Sequence, residues 1–219
     1  MPFAVAQFSG QTDVKSMVRG RIIDDFSRTG IIGARITLEG NALKDSSVVV
    51  SDASGSYSIP GVPEGSYKLS ITKAGYFPIS GSAVQIPNAA QVELDDWILV
   101  RKRAISGTVR WRDGEPAEGA IVSAIQVRGG KASGGVGDPR VKVDDRGNFR
   151  ITDLPPGRYV VYSYHWATTE ISSRPRISLP VFYPGSDLPD PKSVVDLRRQ
   201  TDATNISFLL EERAGLMVG

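Results

Sequence analysis

The chain contains one histidine, His165, and no cysteine in 219 residues, and these two counts limit the chemistry open to it. Without cysteine there is no disulfide, no thiolate zinc site and no sulfur nucleophile. A serine triad would have to take His165 as its base, yet no Gly-x-Ser-x-Gly elbow leads into a helical pattern. Asp138, Asp144 and Asp145 supply carboxylates of the kind that hold a hard cation in a turn. The matching turn earlier in the chain, at Asp52, has only Ala and Ser beside its carboxylate, so such a turn forms without an acidic cluster. No pair of carboxylates is placed across a cleft for glycoside cleavage. The expectation is a chain with no catalytic residue, no metal site and no cofactor.

Charge excludes a further class. Lys and Arg total 26 against 24 Asp and Glu, and dividing the chain after Arg103 gives 11 basic and 10 acidic residues before the cut and 15 and 14 after it. Neither half carries the basic excess that nucleic acid demands. The dense cluster Arg101-Lys102-Arg103 reads as a solvated linker. No apolar run approaches the roughly 18 residues that span a bilayer. Ala4-Val5-Ala6 before Gln7 has the small-x-small form of a signal-peptidase site. Residues 1–16 therefore read either as a leader left from an export signal or as an unstructured start.

The elements that would have to position any site are strands. Short runs of Val, Ile, Thr and Tyr alternate with Gly, Pro, Asp and Ser clusters, and no segment keeps a helical period over three turns. The pattern occurs twice. Val18-Arg-Gly-Arg-Ile22, Gly33-Ala34, Asp52 to Ile59 and Gly61-Val-Pro-Glu-Gly-Ser-Tyr67 return as Ile105-Ser-Gly-Thr-Val109, Gly119-Ala120, Asp144 to Ile151 and Asp153-Leu-Pro-Pro-Gly-Arg-Tyr159. Gly20 and Gly107 are 87 residues apart, Gly33 and Gly119 are 86, and Gly55 and Gly147 are 92. Asp52 to Gly55 and Asp144 to Gly147 read as hairpin turns, Asp capping backbone donors and Gly supplying a positive φ. The expected fold is all-β, with two sandwiches in tandem.

These turns, with Gly107-Thr-Val109, Gly114-Glu-Pro116, Gly119-Ala120 and Leu154-Pro-Pro-Gly-Arg-Tyr159, resemble the carboxypeptidase regulatory-like family, and the resemblance runs from about Met17 to Leu210. It implies Greek-key, prealbumin-like sandwiches of about seven strands each, related to the B-type repeats of bacterial adhesins. The first copy departs from the family at Gly30 and Ile31, where Gly-x-Pro is preferred. The implied boundaries are 17–101 and 104–212, the second copy having the longer tail, and Leu216-Met-Val-Gly219 would open a truncated third repeat within 213–219. Enzymes sharing this general fold need more than one histidine, which His165 alone cannot supply. Adhesin-type repeats also raise an isopeptide bond between Lys15 and Asp95, although no matching Lys opens the second copy.

In the family Tyr159 faces the core. Strand parity then puts Val161, Ser163 and His165 inward and Val160, Tyr162, Tyr164 and Trp166 outward, where the first copy has Lys68, Ser70 and Thr72. A polar outer face has become aromatic. Either the tail from Ile171 to Val181 folds over this stripe, or Tyr162, Tyr164 and Trp166 form an open binding platform. Trp97 and Trp111 are expected to pack at the junction between copies. The reading is a non-catalytic structural or interaction module of an exported or cell-surface protein, extracytoplasmic, serving as spacer, folding aid or docking surface. Its partner is a protein or further domains of a longer chain. The alternative is a carbohydrate-binding module that uses the aromatic platform.

Overall fold

A computed structural model describes residues 15–132, 138–166, 178–188 and 193–212. The proposed export signal and third-repeat strand lie outside the described residues. The chain divides into two compact units, Met1–Val100 and Arg101–Gly219. No helix occurs among the described residues.

The first unit holds β1 (Ser16–Asp24), β2 (Arg35–Glu39), β3 (Ser47–Val50), β4 (Ser56–Val62), β5 (Gly65–Thr72), β6 (Ile79–Ile86), β7 (Gln91–Glu93) and β8 (Trp97–Leu99). One sheet has the order β4-β1-β7, with β8 also on β1, and the other has the order β3-β2-β5-β6. β7 and β8 both run parallel to β1, pairing Met17 with Gln91 and Ile22 with Trp97, so they are two halves of one interrupted closing strand. The second unit holds β9 (Arg103–Trp111), β10 (Ile121–Arg128), β11 (Lys131–Ala132), β12 (Arg140–Lys142), β13 (Asn148–Leu154), β14 (Arg158–Tyr164), β15 (Val181–Phe182), β16 (Val195–Asp196) and β17 (Asp202–Leu210). Its sheets repeat the same plan: β13-β9-β17, and β10 flanked by β11 and β12 on one side and by β14 on the other, with β15 and β16 beyond β14. Each unit is a β-sandwich, as expected, with eight strands in the first and nine in the second among the described residues where about seven each were expected.

Alternation explains the packing. In β5 Tyr67, Leu69 and Ile71 are buried while Lys68 and Thr72 are exposed, the period of two that gives a sheet one apolar face. Tyr67, Leu69 and Ile71 join Ile22, Ile36 and Leu38 in the first core. The second core gathers Ile105, Val109, Val122, Ile151, Tyr159, Val161 and Phe208.

The repeated turns are superposable in their bonding. Asp52 Oδ1 accepts from the backbone N–H of Ser54 at 2.8 Å and of Ser56 at 2.9 Å, and Asp144 Oδ1 accepts from Arg146 at 3.0 Å and Asn148 at 2.6 Å. For Asp52 the Ser54 hydroxyl bond, and for Asp144 the Asn148 backbone bond, is the chief cause that holds each carboxyl below the ordinary range. Gly55 at φ 81° and Gly147 at φ 85° complete the turns. Their carbonyls accept from the N–H of Ile22 and of Val109, both at 2.8 Å, which sets the register of β4 on β1 and of β13 on β9.

Tyr67 and Tyr159 bury their rings to 2% exposure each. Their hydroxyls donate to the carbonyls of Pro63 and Pro155, both at 2.8 Å. Burial pushes the Tyr159 phenol up to about 12, against the pull of Arg103 and Arg128. Burial likewise raises Tyr57 to about 12.

Two expectations are revised. Trp111 is a core residue of the second unit at 3% exposure, and Trp97 packs on the first core. Lys15 and Asp95 are both exposed. Arg19 pairs with Glu93, so Asp95 falls about six residues, or ~20 Å, along β1 from Lys15, and no bond between them can form. The copies also differ in the closing strand: β17 is continuous and carries a bulge at Asn205, φ 62°. Gly107 admits that bulge, since a Cβ there would lie 1.7 Å from the Ile206 carbonyl oxygen.

Gly147→Ala is expected to cost about 1–3 kcal/mol in urea unfolding, because an L side chain is strained in that backbone region. Tyr159→Ala is expected to cost about 3–5 kcal/mol, and Tyr159→Phe about 0.5–1.5 kcal/mol for the lost hydrogen bond. Because the Tyr57 and Tyr159 phenols are raised in the folded state, the stability they contribute is complete below pH 10 and lost as pH rises towards about 12. An alkaline unfolding series should show that decline, with part of the tyrosinate absorbance delayed to the upper end.

Candidate functional site

β14 positions the aromatic stripe. It is antiparallel to β10 on one edge, pairing Val160 with Ile125, Tyr162 with Ser123 and Tyr164 with Ile121. On its other edge Tyr162 pairs with Phe182 of β15 and Arg158 with Asp196 of β16. Directly opposed residues share a face, so Tyr162, Tyr164 and Phe182 lie together on the outer surface of this sheet. The inner parity is also as expected: Tyr159, Val161 and Ser163 are buried towards the core.

The rings form a short ladder. Tyr162 and Tyr164 have centroids 6.0 Å apart and planes 15° from parallel, and Phe182 lies 5.3 Å from Tyr162 at 34°. All three are half-buried. Trp166, just past the end of β14, is 72% exposed. Val160, on the same outward parity, is buried at 2%, so the solvent-accessible part of the stripe begins at Tyr162. Phe182 was not among the sequence candidates. Its signal was the run Val181-Phe-Tyr183 between Pro180 and Pro184, which has the composition of a short edge strand.

Part of the proposed cover, 171–177, lies outside the described residues. Ser178 hydrogen-bonds alongside His165, its N–H to the His165 carbonyl at 3.0 Å and its hydroxyl accepting the His165 N–H at 2.8 Å. Val181 then pairs with Ser163. Ser178 and β15 thus extend the sheet sideways from β14, and Phe182 lengthens the aromatic row.

His165 serves packing. Its ring contacts Trp111 at a centroid distance of 5.3 Å, and Nε2 lies 3.2 Å from the Glu118 carbonyl oxygen. The Asp144 carboxylate is occupied by its own turn, with Asn148 Nδ2 donating to Oδ2 at 3.3 Å. Among the described residues no group of three or more His, Cys, Asp or Glu could hold a metal ion. No helix among them is long and apolar enough to cross a membrane.

Comparison with known proteins agrees with the architecture. The sequence model of the carboxypeptidase regulatory-like domain matches residues 17–96 and again 104–165. Those matches cover more than half of the chain, which therefore belongs to the carboxypeptidase regulatory-like domain family. No curated protein matches. Among solved structures, the chain is similar to a streptococcal ancillary pilin at 13% identity and TM-score 0.43, covering 93% of this chain and 64% of that one. The minor pilin GBS52 of Streptococcus agalactiae is similar at 13% identity and TM-score 0.37, covering 93% and 99%. The Bacillus anthracis TIE protein is similar at 12% identity and TM-score 0.40, covering 91% and 34%. The chain thus spans about a third of the TIE protein and just under two thirds of the ancillary pilin.

If the ladder is a single packed unit, Tyr162→Ala and Phe182→Ala should be non-additive. A double-mutant cycle in chemical denaturation is expected to return a coupling of about 0.5–1.5 kcal/mol. Additive losses would show that the two rings act independently.

Proposed function

We propose that the chain is a non-catalytic structural and interaction module of an exported or cell-surface protein. It consists of two domains in series, 17–101 and 104–212, acting as spacer and docking surface in the extracytoplasmic space. The observation that carries this reading is the contrast between outer faces on one scaffold. Where the first domain presents Lys68, Ser70 and Thr72, the second has buried Val160 and presents Tyr162 and Tyr164, with Phe182 and Trp166 completing the row. The Asp-Gly turns and the buried Tyr67 and Tyr159 are alike in both copies, and they do not require this change. Rigid aromatic rings give contact area at low cost in side-chain entropy.

The test has two arms. Purified protein assayed against hydrolase, oxidoreductase and transferase substrates should show no turnover, and turnover that vanishes in His165→Ala would overturn the proposal. Labelled protein should cosediment with cell envelopes of the organism that makes it. Tyr164→Ala with Trp166→Ala should reduce the bound fraction about tenfold, equivalent to ~1.4 kcal/mol, without lowering the Tm. Binding unchanged in that double variant would remove the aromatic row from the contact surface.

A further inference from the structure

The outer face that carries the aromatic row also carries a row of cations. Ser123, which faces Tyr162 on one side, pairs on its other side with Arg140, and Ile121, which faces Tyr164, pairs with Lys142. Each pair shares a face. The sheet therefore carries Arg140 and Lys142 on β12, half-buried Ile121 and buried Ser123 on β10, and Tyr162 and Tyr164 on β14. Two strand spacings, about 10 Å, separate the backbone of the cationic row from that of the aromatic one. Arg140 and Lys142 are exposed. The acid on the named positions of this face is Asp196, opposite Arg158, and its carboxylate is already engaged by the Arg198 guanidinium at 2.6 to 3.2 Å. In the first domain the positions equivalent to Arg140 and Lys142 are Val48 and Val50, which pair with Thr37 and Arg35. The first copy carries cations elsewhere on this face, at Arg35 and Lys68, but has neither ring nor cation at the positions of Tyr162, Tyr164, Arg140 and Lys142.

We infer that this face binds an acidic polysaccharide, a polymer of carboxylated pyranose rings, with Tyr162 and Tyr164 packing against the sugar and Arg140 and Lys142 pairing with its carboxylates. The inference rests on the interaction-module reading and names the ligand class. A pyranose has an apolar C–H face that lies on an aromatic ring, and its hydroxyls stay in solvent, which suits tyrosines with one wet end. A uronate carboxylate accepts charge-assisted bonds from guanidinium and ammonium groups. A polymer engages both cations at once and gains by multivalency. An acidic peptide fits the arrangement less well. It could pair with Arg140 and Lys142, but a run of acidic side chains has no apolar face to lie on Tyr162 and Tyr164.

The test uses the full chain and affinity electrophoresis through gels containing polygalacturonate, neutral dextran, dextran sulfate or poly-L-glutamate. Expected is retardation by polygalacturonate, none by dextran, and loss of most retardation when salt rises from about 0.02 M to about 0.3 M. Arg140→Gln with Lys142→Gln should weaken polygalacturonate binding at least about tenfold, and Tyr164→Ala should weaken it several-fold. Lys44→Gln, in the first domain, should change nothing. All three variants replace side chains outside the core, so an unchanged Tm separates lost contact from lost fold. Absence of retardation by polygalacturonate, or retardation indifferent to Arg140→Gln with Lys142→Gln, would overturn the inference. Equal retardation by dextran sulfate that ignores Tyr164→Ala would reduce the face to unspecific charge, and stronger retardation by poly-L-glutamate would reassign it to an acidic protein; either result also overturns it. Envelope binding that needs Tyr164 and Trp166 in a protein that ignores polygalacturonate would sink this inference and leave the interaction-module reading standing.

Discussion

The hydrogen bond from the Tyr159 hydroxyl to the Pro155 carbonyl, and its counterpart from Tyr67 to Pro63, anchors the strand on which the outer surface depends. A buried phenol must find an acceptor, and a carbonyl four residues back offers one without leaving the turn. Once Tyr159 is pinned inward, every later residue of β14 has its side chosen by alternation. A slip of one residue would drive Tyr162 and Tyr164 into the core and put Val161 and Ser163 outside. The arrangement of the candidate site is thus set by a local contact at the start of its strand.

The frame that holds this strand is common to both domains. An Asp-capped turn with glycine at positive φ sets one neighbour of the first strand, and a parallel closing strand sets the other. These contacts are made by inward side chains and by the backbone, which leaves outward positions free to vary at little cost. The two domains use that freedom differently. One keeps Ser and Lys outside β5. The other places three rings in contact and lines the adjacent edge with Arg140 and Lys142. Each domain keeps its own core.

Turn and core residues were legible in the sequence because their logic is local. Asp52 and Asp144 bond within four residues of themselves, Tyr67 and Tyr159 reach back four, and alternation assigns sides within a strand. On those grounds the repeat and the all-β sandwich follow from residue types and spacing, while the inward tyrosines and the outward side of Tyr162, Tyr164 and Trp166 follow from alternation once the family resemblance places Tyr159 inward. Tertiary structure decided what lies beside them. Phe182 stands next to Tyr162 although 20 residues separate them in sequence, and Arg140 reaches the same row through Ser123. Trp111, expected to pack at the junction between copies, lies in the core of the second domain against His165, and the register of β7 on β1 set Lys15 apart from Asp95. Lateral neighbours in a sheet are fixed by which strands pair and in what register, and that depends on closing loops of many residues around a shared core, a property that no short window of the chain contains.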